Sequence, residues 1–103
     1  RKEPPVRNYK QKMSRYRLDK ARYRELRDYC LCAGRDERMI IESAAADAAD
    51  EVIGRYILQH VLSTDRSVVA LRADGMPCND DTFRVYRAKF FWTLDQRLRL
   101  IGE

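Results

Sequence analysis

The chain has one histidine, three prolines, three cysteines and four glycines among 103 residues, and each scarcity excludes something. With His60 alone, general acid–base chemistry would fall to carboxylates, and these sit mostly at expected helix caps and polar faces. Ser63, three residues after His60, reads as a cap, and no glycine loop suited to a phosphate is present. No catalytic residue and no enzyme are therefore expected. Sparse Gly and Pro argue against a β-sandwich, which needs frequent turns. No apolar run approaches the roughly 18 residues of a membrane span, so no membrane partner is expected. The basic N-terminus is followed by no apolar region, so no signal peptide is expected. Cys30, Cys32 and Cys78 form an odd set, which suggests a reducing, cytoplasmic setting. On a helix, Cys30 and Cys32 would point about 200° apart. That spacing disfavours a zinc site with Cys78 and His60, so buried thiols, no metal and no cofactor are expected.

What the chain does have is charge, unevenly placed. Residues 1–27 hold 11 Lys/Arg against 3 Asp/Glu, a net +8. Residues 28–103 hold 10 against 13, a net −3. A basic leading segment on a mildly acidic body points to a polyanion. Its structural alternative is a solvated helix whose arginines pair with acids elsewhere in the chain.

The pattern predicts an all-α fold of four helices, at about 9–33, 37–62, 65–74 and 80–100. A flexible basic arm at 1–8 precedes a single helical domain at 9–103. Asn8 suits an N-cap, and Tyr9, Met13, Tyr16, Tyr23 and Cys30 mark an apolar stripe with Leu26 beside it. "SRYRLDK" (14–20) runs directly into "ARYRELR" (21–27), a repeat of period seven. On one helix it places Lys10, Arg17 and Arg24 along one flank and Arg15 and Arg22 along the other. Gly34 suits a C-cap and Asp36 an N-cap. The alanine-rich second helix is expected to bury Ile41, Ala45, Ala48, Val52, Tyr56 and Ile57 as the central scaffold. Its acids could pair with the first helix. Val68, Val69 and Leu71 are expected inward on the third helix, and Phe83, Tyr86, Phe90, Leu94, Leu98 and Ile101 on the fourth.

A short helix, Gly75, then a longer helix is the order of a helix-turn-helix, whose second helix enters a major groove about 12 Å wide. Arg84 and Lys89 are the residues placed to approach it. Phe83 follows Gly75 by eight residues, so the turn is long for such a motif, and Asp80 and Asp81 favour the helix dipole while repelling phosphate. Arg87 lies near the core face and reads as structural. Val85, Ala88 and Trp92 lie off that face, and Val85 and Trp92 with nearby Arg99 form a candidate protein interface. The structural alternative docks Trp92 on the Tyr16–Tyr23 seam.

"YILQHVLS" with "GMPCNDDTFRVYRAKFFWTLD" resembles small proteins of Gram-positive phages and prophages, of the ArpU/RinA late-activator type with a sigma-factor-like helix-turn-helix. The resemblance covers roughly 52–98 and, more loosely, 9–30. It rests on Gly75, Pro77, Cys78, Asp81, Phe83, Arg87, Lys89, Phe90, Phe91 and Leu94. It implies a non-catalytic transcriptional regulator that binds double-stranded DNA in the host cytoplasm, with a homodimer suited to that role. Where Asn79, Asp80 and Val85 stand, the resembling proteins are more basic. That departure implies an alternative: an anti-CRISPR-like inhibitor that binds a host nuclease or nucleoprotein.

Overall fold

A computed structural model of the chain describes residues 15–102. The arm at 1–8, the Asn8 cap, Tyr9, Lys10 and Met13 lie outside them. The described residues form five helices: α1 (Lys20–Leu31), α2 (Arg35–Ala48), α3 (Glu51–Val61), α4 (Val68–Ala73) and α5 (Asp80–Leu100). No strand occurs among them. The all-α class is as expected; the extra helix arises from a break inside the second expected one.

That break falls at Ala49, which is extended at φ −150° and ψ 170°. The Asp50 carboxylate then accepts a hydrogen bond from the Ile53 N–H at 2.8 Å and starts α3. An Asp at a helix start satisfies a backbone donor that would otherwise be orphaned, and here that outweighs the helical preference of the alanines. The break turns Val52, expected in the core, out to solvent, while Ile53, Ile57 and Val61 face inward. The expected helix over 9–33 is interrupted as well. Residues 17–19 have no regular structure, Leu18 packs onto the core, and Asp19 stands at the start of α1. Gly34 is no left-handed C-cap. It opens α2, and its N–H donates to the Glu37 carboxylate at 2.8 Å.

The alanine-rich α2 is a central element, as expected, and it shares that place with α5. The packing between these two helices is the most extensive in the fold, and α1 and α3 pack on both. Phe83, Phe90, Phe91, Leu94 and Leu98 of α5 meet Ile41, Ala44, Ala45 and Ala48 of α2 in one buried cluster. The small alanines let the two backbones approach while the phenylalanines fill the volume. Ile101 departs from the expected core face because it follows the last turn of α5 and is exposed. Val69 departs for a similar reason: the six-residue α4 buries only Leu71, and Val69 faces out.

The chain reverses after α4 at Gly75, whose φ is +92°. Its N–H bonds the Arg72 carbonyl at 3.0 Å, and the Met76 N–H bonds the Leu71 carbonyl at 3.1 Å. With Leu71 and Met76 both buried, this is a Schellman closure with its apolar contact positions filled. Asn79 then caps α5 by accepting from the Thr82 N–H at 2.8 Å. The order of a helix-turn-helix is thus present, but α4 packs chiefly on α3.

His60 pins α3 to the following loop and to α5. Its Nδ1 lies 2.8 Å from the Arg66 carbonyl, and its Nε2 lies 3.1 Å from Arg87 Nη1. A carbonyl only accepts and a guanidinium only donates, so the ring is neutral with its proton on Nδ1. Phe83 meets the ring edge-on at 5.6 Å. Burial pulls the His60 pKa below 6.5, and the charges of Arg87 and Arg27 add to this against the opposing effect of the Arg66 carbonyl. Unfolding releases this restraint, so stability is full above 6.5 and declines as pH falls toward the lower folded value. The sole histidine resonance should therefore titrate below 6.5 in the folded chain. Urea stability should be lower at about pH 5.5 than at about 7.5, a difference reduced in His60→Gln. A midpoint at or above 6.5 would contradict the pin.

Candidate nucleic-acid interface

Residues 17–19 have no regular structure, so the seven-residue repeat does not wind along one cylinder. Its tyrosines nevertheless both reach α5. Tyr16 meets Trp92 at 5.8 Å and Tyr23 meets Phe91 at 4.9 Å between ring centres. These contacts fix how the basic segment lies on the body.

The arginines then divide by position. Arg22 Nε donates to the Asp95 carboxylate at 2.5 Å, and Arg99 Nε donates to the other oxygen of that carboxylate at 3.0 Å. Asp95 is only 2% exposed. Burial alone would raise its pKa, but hydrogen bonds from Arg22 and Arg99 outweigh burial and hold it below the usual carboxylate range. Arg22, expected with Arg15 along an exposed flank, is thus an internal ion-pair partner. The reason is geometric: from α1 it points at α5, where a buried carboxylate requires a cation.

Arg15, Arg17, Lys20 and Arg24 are exposed, and none forms an ion pair among the described residues. Lys20 and Arg24, four apart, share one edge of α1. The acids of the alanine-rich segment do not neutralise this group. Asp47 pairs with Arg97, Asp50 caps α3 and Glu51 pairs with Arg55 at 2.8 Å. The front-end cations therefore keep their field while the body matches many of its own charges.

On α5, Arg84 and Lys89 are five residues apart and so diverge by about 140° around the helix. Arg84 is exposed and lies 4.0 Å from Asp81; Lys89 is half-buried on the other flank. They do not converge on one groove-facing edge. Between them runs a row at seven-residue spacing, Val85, Trp92 and Arg99. Val85 is half-buried, Trp92 is 37% exposed despite its contact with Tyr16, and Arg99 is exposed beyond its bond to Asp95.

The cysteines and Ser63 hold other positions. Cys30 and Cys78 are buried and Cys32 is exposed, all as free thiols. Burial pushes the Cys30 thiol up to about 12, which keeps it protonated and unreactive. Among the described residues no group of three or more His, Cys, Asp or Glu side chains could hold a metal. No helix among them is long and apolar enough to cross a membrane. The Ser63 hydroxyl donates to Asp65, and both nitrogens of His60 are engaged elsewhere, so the two do not form a nucleophile–base pair. Sequence reasoning missed Asp95 as a functional constraint. A lone Asp inside an aromatic helix was the available signal.

Arg22→Ala should cost about 3 kcal/mol of urea stability by stranding a buried charge, with Arg99 as its remaining partner. Arg24→Ala should stay within about 0.5 kcal/mol. Equal effects of the two would contradict the division between internal and outward arginines.

Comparison with family models, curated proteins and solved structures finds no match for the chain.

Proposed function

We propose that the chain is a non-catalytic, double-stranded DNA-binding regulator of transcription that holds phosphate mainly through its basic leading segment. The observation that carries this reading is the group Arg15, Arg17, Lys20 and Arg24, exposed and without internal ion pairs beside a largely self-neutralised body. Phosphate contacts supply affinity and position, and they need cations held at a surface rather than a deep pocket. Arg84 and Lys89 lie on separate flanks of α5, and Asp80 and Asp81 stand at its start. Base readout by insertion of α5 is therefore the weaker component, and shape and charge the stronger. Lys10 would extend the cationic group.

A second reading is a phage-encoded inhibitor of a host defence nuclease that acts on a protein or nucleoprotein. It is favoured by the exposed Trp92 in line with Val85 and Arg99. That reading expects weak affinity for bare duplex and a host complex that survives nuclease treatment.

If the four cations each contact a phosphate, log Kobs should fall against log salt with a slope of about −3.6. Fluorescence anisotropy with a labelled duplex measures it. Charge reversal at Arg17 and Arg24 together should weaken binding and roughly halve that slope, with native helical circular dichroism retained. Absence of duplex binding at low salt, or a slope unchanged by the reversal, would remove the regulator reading.

A further inference from the structure

We propose that the outer face of α5 is a homodimer seam in which two copies pair antiparallel about a two-fold axis near residue 90. This inference stands apart from the DNA reading, because it rests on α5 alone.

Two interleaved rows of period seven mark that face. One holds Val85, Trp92 and Arg99; the other starts with Asp81 and Ala88 and turns inward at the buried Asp95. This is the spacing of a helix-pairing seam. No described helix lies over the line from Asp81 through Ala88 and Trp92 to Arg99; Tyr16 of the same chain meets one edge of the Trp92 ring, Asp81, Arg99 and the rest of Trp92 are exposed, and Ala88 is half-buried. The occupant follows from how that line matches its own reverse. In an antiparallel pair centred at residue 90, each position meets the one whose number completes 180. Ala88 then faces Trp92 of the second copy, a small residue against a large one. Asp81 faces Arg99 of the second copy, an acid against a base. The two-fold axis repeats each match, so one self-complementary surface gives two ion pairs and two aromatic seats.

Arg99 uses Nε on Asp95, which leaves its terminal nitrogens for the partner's carboxylate. Asp81 is held only loosely by Arg84, at 4.0 Å. Both groups are therefore oriented by their own chain and still available. The seam spans about 27 Å along α5 at the helical rise of about 1.5 Å per residue. One helix per copy is a small interface, so association at micromolar concentration is expected.

The arrangement also places the basic segments. An element beside α5 lies on the same side of the pair in both copies when the axis is perpendicular to the two helices. α1 docks at Phe91 and Asp95, and Tyr16 sits on Trp92 near the axis. Arg15 and Arg17 of the two copies thus converge on one side of the dimer. The use of that side for DNA rests on the function proposed above; the dimer does not.

Sedimentation equilibrium of the full chain tests the seam, with circular dichroism as the check of folding. The wild type should show a reversible dimer. Ala88→Arg should be a folded monomer. Asp81→Arg and Arg99→Glu should each weaken association by at least about tenfold through like-charge contact. An equimolar mixture of those two variants should restore it, because each contact across the axis then joins opposite signs. If Arg99→Glu fails to fold, Ala88→Arg and Asp81→Arg carry the test. A wild type that stays monomeric at about 500 µM overturns the proposal. So does a folded Ala88→Arg or Asp81→Arg that dimerises like the wild type, or a mixture of folded variants no stronger than its components. A foreign protein that occupies this face on a monomeric chain would overturn it too.

Discussion

A carboxylate buried against α1 has to be answered by a cation, and Asp95 is answered twice, by Arg22 from α1 and by Arg99 from its own helix. Two guanidiniums offset the desolvation that one would leave partly unmet. The pairing fixes the rotation of α1 about its axis. Once Arg22 points inward, Lys20 and Arg24 must point away, because residues two apart on a helix face different sides. The same rotation lets Tyr23 reach Phe91 and buries Leu26 and Cys30. The outward charge of the leading segment is thus a consequence of an inward one.

α5 carries a second constraint. It is the longest described helix and shares the most extensive packing of the fold with α2, so its inner side is committed to phenylalanine and leucine. A helix this committed cannot enter a groove along its whole length. Its outer line is mixed, with acid at one end, base at the other and small and aromatic residues between. Such a line suits a protein surface, and its own reverse in particular, better than a row of phosphates. Cationic and pairing functions therefore fall on different elements, α1 and α5, joined through Asp95.

Much of this was legible in the sequence where the signal was local. The start of α5 was expected where Asn79 caps it, because a cap needs only the next three residues; α4 begins three residues later than expected, at the Ser67 cap. Gly75 marks its turn because a left-handed backbone favours glycine. Of the two missed breaks, the one at Asp50 carries a side-chain cap and the one at Asp19 does not, and each sat inside a strong helical pattern that hid it. The repeat over 14–27 suggested one continuous helix, and the alanines over 44–49 suggested another. Arg22 was misplaced for a different reason: its partner lies 73 residues away, and nothing local distinguishes it from Arg15 or Arg24. Phe91 was missed because α5 buries a face wider than one stripe, with α1 covering the added side.

The separation of Arg22 from its neighbours is read directly by NMR from the side-chain Nε–Hε signals of arginine. On addition of a DNA duplex, the signals of Arg15, Arg17 and Arg24 should shift. The Arg22 signal should exchange slowly with water and stay in place. Fast exchange at Arg22, or a duplex that shifts Arg22 while leaving Arg17 and Arg24 unmoved, would contradict it.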